Sequence, residues 1–245
     1  MAERQRADLL LVERGLFESR AKAQAAIGAG LVRANGRVVG KASETLPRDA
    51  AIEAEPAFVF VSRGGVKLEG ALDAFGFNVA NRLCLDIGAS TGGFTDVMLR
   101  RGAAKVIAVD VGRDQLHPSL RTDPRVESHE GTDIRQFSIA GTKPDFASVD
   151  VSFISLAAIL PAMANLLAPR AEIALLIKPQ FEVGRAQIGK GGIVRDHDAV
   201  TAVLERVQND VRALGFTVLG VIEAPIAGGD GNQEYLLGAR RAETA

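Results

Sequence analysis

From about residue 80 onward, short and nearly continuous apolar runs alternate with segments of helical spacing. RLCLDIG, KVIAVDVG, the shorter RVESHEGTD, DFASVDVSF and AEIALLIKPQF read in that order as strands. GGFTDVMLRRG, ended at Gly102, and SLAAILPAMANLLAP read as helices, as does the stretch from about His197 to Leu214, stopped at Gly215. Strands this apolar need cover on both faces, which predicts a mostly parallel sheet with helices on either side. FTVLGVIEAPI and QEYLLGARR then follow one another with no helix between them. They bring the expected total to seven strands, at least one of them antiparallel.

The first part of the chain follows a different pattern. Leu9, Val12 and Leu16 recur at helical spacing, and Gly15 can terminate that helix. Ser19 is placed to cap a second helix running through Ile27 and ending near Gly28. In LVRANGRVV, Asn35-Gly36 separates two apolar runs, as a hairpin with a two-residue turn requires. The pattern changes near residues 56–62, so two domains are expected, 1–60 and 61–245.

Composition refines this picture only locally. The 245 residues are 47% hydrophobic and 24% charged with net charge −1, a globular balance that reveals no nucleic-acid partner by itself. Between Arg4 and Lys41, however, eight basic residues face three acidic ones. Arg20 and Lys22 fall in the first turn of the second helix, where cations oppose the helix dipole, and this suggests a docked phosphate. Arg6, Arg33, Arg37 and Lys41 belong to the same basic segment; a plainly solvated charged surface is the alternative. Cys84 is the only cysteine and sits in an apolar run, which fits a small core residue and a reducing compartment. The uncharged stretch Val151–Pro169 contains Ser152, Ser155, Pro161 and Asn165, unlike a membrane span. MAERQRADLL lacks the apolar region of a signal peptide, so a cytoplasmic protein is expected.

The chemistry gathers at predicted strand ends. The first strand runs into DIGASTGGFT, and a glycine-rich turn between strand and helix lets a ligand approach the backbone. The glycines Gly88, Gly92 and Gly93 do not match the dinucleotide fingerprint G-x-G-x-x-G. Asp86, just before them, disfavours a pyrophosphate and suits a ligand with cationic groups. S-adenosylmethionine carries a sulfonium and an ammonium. Asp110 ends the second strand, where a carboxylate can hold two ribose hydroxyls, and Asp133, after the third, can accept from an adenine amino group. The expected cofactor site is Asp86, Gly88, Ser90, Gly92, Gly93, Phe94, Asp110 and Asp133.

A second glycine cluster, GRAQIGKGG, nearly spells a P-loop, but Gly191 stands where Ser or Thr must hold magnesium and no helix follows at once. It reads instead as a flexible basic loop over the active site, offering Arg185, Lys190 and Arg195 to RNA phosphates. Arg63, just after the domain boundary, is a further RNA candidate. His117, His129 and His197 show no metal-ligand spacing, and no metal is expected. Four residues remain: Lys67 in SRGGVKL, Asp150 in SVDVSF, Lys178 in LLIKPQF and Glu234 in GNQEYLL. Asp150 and Lys178 should converge at neighbouring strand ends, either as catalytic groups or as a buried structural ion pair.

The N-terminal order of helix, Arg-Ala-Lys-Ala turn, helix and Asn-Gly hairpin resembles the S4 RNA-binding domain over residues 5–55. Lys67, Asp150, Lys178 and Glu234, arranged around DIGASTGGFT, resemble the Lys-Asp-Lys-Glu tetrad of FtsJ/RrmJ-like ribose 2'-O-methyltransferases. Together the two parts are similar over nearly the whole chain to the TlyA family of ribosomal RNA 2'-O-methyltransferases, whose members are sometimes called haemolysins. The resemblance implies a Rossmann-like class I methyltransferase sheet behind a small S4 domain. It also implies methyl transfer from S-adenosylmethionine to a cytidine of 23S rRNA, with 16S rRNA as a further substrate in some members. The short C-terminal end favours the 23S-only type. Lys178 is expected either to accept the proton of the 2'-hydroxyl or to stay charged and stabilise the developing alkoxide. Asp150 and Glu234 would orient the lysines. Three other functions compete: a small-molecule methyltransferase, a pure RNA-binding protein and a membrane-active haemolysin.

Overall fold

A computed structural model describes residues 3–241, in two compact units that divide between Val59 and Phe60. The first unit contains β1 (Arg4–Arg6), α1 (Ala7–Glu13), α2 (Arg20–Gly28), β2 (Val32–Ala34), β3 (Arg37–Val38), β4 (Thr45–Pro47) and β5 (Ile52–Ala54). β1 pairs with β4, and β2 lies between β3 and β5, all antiparallel. The expected local signals hold. The Ser19 side chain accepts from the Lys22 N–H to cap α2, and Asn35 and Gly36 both take positive φ, 49° and 76°, between β2 and β3.

The face of α1 needs correcting. Leu10 and Leu11 face the core, while Leu9 and Leu16 are exposed. The period is disturbed by Asp8, which is fully buried because the Arg6, Arg20 and Gln24 side chains all donate to it. Those donors hold its carboxyl far below the usual range, with the Arg6 hydrogen bond the largest cause.

The second unit contains α3 (Gly64–Phe75), β6 (Leu83–Ile87), α4 (Gly93–Arg100), β7 (Lys105–Asp110), α5 (Pro118–Arg121), β8 (Val126–Glu130), β9 (Phe146–Val149), α6 (Leu160–Leu166), β10 (Glu172–Ile177), α7 (Pro179–Glu182), α8 (His197–Ala213), β11 (Phe216–Glu223) and β12 (Tyr235–Arg241). Its sheet has the order β11-β12-β10-β9-β6-β7-β8. β6 to β10 are mutually parallel, and β12 is inserted antiparallel between β10 and β11. This is the mostly parallel seven-stranded sheet expected from the apolar pattern. Strand order reverses between β6 and β9, and in open α/β sheets ligands sit at the carboxyl ends beside such a switch point.

Several boundaries differ in ways that matter for the site. β9 stops at Val149 and β10 at Ile177, so Asp150 and Lys178 occupy the first positions beyond their strands. Pro161 delays α6 to Leu160, behind a 3-10 turn at Leu156–Ala158. α3 went unread in the sequence, yet it carries Lys67. Val203, Val207 and Val211 of α8 repeat every four residues and pack into one core with Leu85, Val149, Leu175 and Met163. That core fixes the strand ends on which the site is built.

Candidate active site

The turn after β6 depends on close backbone approach. Gly88 has φ +80°, and a Cβ there would lie 2.3 Å from the Asp150 carbonyl oxygen. Only glycine lets the ends of β6 and β9 come this near. Ser90 also takes positive φ, 47°, which aims its N–H at Asp110 Oδ2, 2.8 Å away. Asp110 Oδ1 accepts from the Gly112 N–H at 2.6 Å, so one carboxylate ties two loops at the mouth of a cleft. The cleft is a cavity of about 540 Å³ walled by Gly88, Ser90, Asp110, Val111, Asp133, Ile134, Asp150 and Phe153, among others. That is within the size range of small-molecule sites.

A smaller cavity of about 180 Å³ adjoins it, lined by Ser62, Gly64, Lys67, Phe94, Asp150, Ser152 and Lys178 as well as the glycine turn. Gly88, Ser90, Asp150 and Ser152 belong to both cavities. The four residues singled out in the sequence form two ion pairs. Lys67 bonds Glu234, and both are buried, at 8% and 3% exposure. Lys178 Nζ lies 2.5 Å from Asp150 Oδ1 and donates to Ser152 Oγ at 2.9 Å, in a pair that stays partly open. Glu234 lines neither cavity and reaches the site only through Lys67.

Two of the expected cofactor contacts, Asp86 and Gly92, line neither cavity. Asp86 is fully buried and lines neither cavity. It accepts from Thr95 Oγ1 at 2.6 Å and Ser148 Oγ at 3.0 Å, joining α4 to β9 beneath the turn. Burial pushes its carboxyl up to about 7, against the pull of those hydroxyls. Gly92 packs under the side chains of Leu116 and Leu120, where a Cβ would lie 2.3 Å from Leu120 Cδ1. Gly93 does border the smaller cavity, but the space its missing Cβ leaves is filled by Ser62 Oγ, 2.2 Å from that position. Asp133 lies on the cleft wall and accepts from the Arg135 N–H and guanidinium, which hold its carboxyl at about 2. Phe94 is buried against the smaller cavity.

The basic residues separate into two sets. Arg6 and Arg20 bond Asp8, Lys22 bonds Glu18, and Arg37 bonds Glu44. The cations at the start of α2 are therefore balanced by the chain's own carboxylates and do not require a phosphate. Arg33 and Lys41 are exposed, as are Arg63, Arg185, Lys190 and Arg195. The loop carrying the last three contributes none of these side chains to either cavity. It is anchored from the side by Asn232, which bonds the Gly192 carbonyl and the Val194 N–H.

The segment after Asp150 adds Ser152 and Phe153 to the cleft wall. Ser152 touches Lys178, and Phe153 is 90% exposed with φ +64°, its ring 4.9 Å from that of Phe181. Such a conformation is uncommon for a bulky residue, and it falls on the cleft wall. The sequence signal was an aromatic residue between two serines just after the Asp150 strand end. Among the described residues, no cluster of His, Cys, Asp or Glu is placed to hold a metal ion, and no helix is long and apolar enough to cross a membrane.

Comparison with known proteins agrees with this architecture. Residues 60–241 match the FtsJ-like methyltransferase family and residues 5–52 match the S4 domain. The 16S/23S rRNA (cytidine-2'-O)-methyltransferase TlyA of Mycobacterium tuberculosis is 47% identical, over 98% of this chain and 91% of that protein. The 23S rRNA (cytidine-2'-O)-methyltransferase TlyA of Campylobacter jejuni is 40% identical, over 72% of this chain and 69% of that protein. A solved structure from Streptococcus thermophilus, described as a candidate hemolysin, is 44% identical with a TM-score of 0.77 and covers 100% of this chain and 90% of that one.

Proposed function

The chain belongs to the FtsJ-like methyltransferase family, with an S4 domain ahead of the methyltransferase unit, and from that premise we propose that it methylates a ribose 2'-hydroxyl of ribosomal RNA using S-adenosylmethionine. In its narrower form the substrate is a cytidine of 23S rRNA, as the Campylobacter relative is named for, and 16S rRNA, which the name of the Mycobacterium relative adds, is the alternative to be tested. The observation that carries the reading is the placement of Lys67, Asp150 and Lys178 in one small cavity opening beside the larger cleft.

The residues around the cleft suit the cofactor. Gly88 and Ser90 line the cleft with little side chain, and the Asp110 carboxylate at the second strand end can accept from paired ribose hydroxyls. Asp133 and Ile134 border the far wall, where an adenine would lie. When bound, S-adenosylmethionine supplies a sulfonium-activated methyl group. What remains for the protein is alignment and management of one proton. Lys178 presents its Nζ to the 2'-oxygen, either taking its proton or staying charged to stabilise the developing oxyanion. Asp150 holds that Nζ from one side, and the Lys67–Glu234 pair maintains a second cation in the cavity wall.

RNA is held by exposed cations, with Arg33 and Lys41 in the first unit and Arg63, Arg185, Lys190 and Arg195 in the second as candidates. The proposed site of action is the cytoplasm, where ribosomal RNA is available. The test is methyl transfer from isotope-labelled S-adenosylmethionine to purified ribosomal subunits and to extracted rRNA. Label in RNA that disappears with Lys178→Ala supports the reading. Turnover with small molecules and none with RNA would replace it with a small-molecule methyltransferase.

A further inference from the structure

The proposed reaction requires the Lys178 ammonium to face the 2'-oxygen, but a lysine side chain has four rotatable bonds and three equivalent N–H groups. Asp150 alone fixes one direction. The structure supplies a second, because Lys178 Nζ also donates to Ser152 Oγ at 2.9 Å. The Asp150 carboxylate draws the ammonium toward it at 2.5 Å and Ser152 Oγ accepts one of its N–H groups, so rotation about the terminal bond is restricted and the remaining N–H groups point elsewhere. Ser152 borders both cavities, so it stands where the methyl group and the 2'-oxygen must meet.

Ser152 is itself held firmly for an exposed residue. Residues 152–156 and 178–182 are laced together at three successive points. Lys178 bonds Ser152, the rings of Phe181 and Phe153 lie 4.9 Å apart, and Glu182 accepts from Ser155 Oγ and the Leu156 N–H, both at 2.7 Å. The Glu182 side chain is only 2% exposed, and Arg206 compensates its charge at 2.7 Å. The Ser152 hydroxyl therefore does not drift with the loop. Its distance from Lys178 is set by a segment that starts at Lys178.

We propose that Ser152 is a positioning residue for Lys178, fixing the orientation of the ammonium so that one N–H is presented to the ribose 2'-oxygen. This rests on the 2'-O-methyltransferase reading and acts only through Lys178. The experiment compares the full-length wild type, Ser152→Ala and Ser152→Thr in single-turnover methylation of ribosomal RNA at saturating S-adenosylmethionine. Cofactor affinity by calorimetry, RNA affinity by filter binding and the melting temperature are measured alongside. Hydrogen bonds to charged groups are strong enough that a loss of about tenfold in rate is expected for Ser152→Ala. Both affinities and the melting temperature should stay unchanged, and Ser152→Thr, which keeps the hydroxyl, should restore most of the rate.

A loss smaller than about fivefold, no recovery with threonine, or a loss traceable to weaker cofactor or RNA binding would each overturn the proposal. A merely structural role would move the melting temperature and would not separate alanine from threonine in rate alone. A wild type that transfers no methyl group to RNA would overturn the parent reading and this inference with it. An active wild type with an unaffected Ser152→Ala would overturn this inference only.

Discussion

Replacing Glu234 with alanine should destabilise the methyltransferase unit far more than its position at the start of a strand suggests. Glu234 and Lys67 are both at least nine-tenths buried and bond each other, and a Cβ on Gly228 would lie 2.5 Å from Glu234 Oε1. Glu234→Ala leaves the Lys67 ammonium buried without its counter-ion, and breaking a buried pair from one side costs about 3–5 kcal/mol. For a unit of this size each kcal/mol is worth roughly 2–4 °C, so the melting temperature should fall by on the order of 10 °C. An apolar replacement of both partners, Lys67→Met with Glu234→Leu, should recover most of that loss while staying inactive, because the desolvated charges are gone. Scanning calorimetry of the three full-length proteins is the assay. The reasoning fails if Glu234→Ala melts within about 2 °C of wild type, or if the apolar pair is no more stable than the single variant.

Lys178→Ala should lower the single-turnover methylation rate by about 10²–10⁴ with cofactor affinity unchanged, and Lys178→Arg should not restore it, because the guanidinium differs in reach and shape. A rate within tenfold of wild type would remove Lys178 from the principal role. Asp110→Ala should weaken S-adenosylmethionine binding at least about tenfold, since hydrogen bonds to a charged group are worth roughly 1.5–3 kcal/mol each; calorimetry checks it, and unchanged affinity would move the ribose elsewhere. Burial raises the Asp86 carboxyl to about 7, so the folded chain keeps a proton that the unfolded chain releases between about pH 4 and 7. Its contribution to stability is complete below that window and is lost as pH rises through it. Asp86→Asn should remove the dependence, narrowing the stability difference between pH 5 and pH 8 in denaturant titrations; parallel profiles for the two proteins would contradict the assignment.

The sheet and most of its helices were legible because the strands are apolar on both faces and the connecting helices carry clear stops, as at Gly102 and Gly215. The Asn35-Gly36 turn and the Ser19 cap were legible for the same kind of local reason. Failures came where a tertiary partner decided the outcome. Asp8 could be buried in α1 because Arg6, Arg20 and Gln24 converge on it, which no single-helix pattern displays. Asp86 looked like a ligand contact because it precedes a glycine turn, but Thr95 and Ser148, from two other elements, claim its oxygens. The same two residues that looked catalytic by placement, Asp150 and Lys178, do meet at neighbouring strand ends. What the sequence did not display was the loop after Asp150, where Ser152 and Phe153 acquire meaning only from Lys178 and Phe181.

The central claim is that the methyl group goes to a ribose oxygen of ribosomal RNA, and the most direct measurement identifies the methylated atom. Ribosomal RNA from a strain lacking this protein is incubated with the purified full-length chain and S-adenosylmethionine, digested in parallel to nucleosides and to oligonucleotides, and analysed by mass spectrometry. The account predicts 2'-O-methylcytidine, formed by wild type and absent with Lys178→Ala, within a single oligonucleotide of 23S rRNA or in one further position of 16S rRNA. Methyl groups on the bases, or methylated RNA formed equally well by Lys178→Ala, would contradict it.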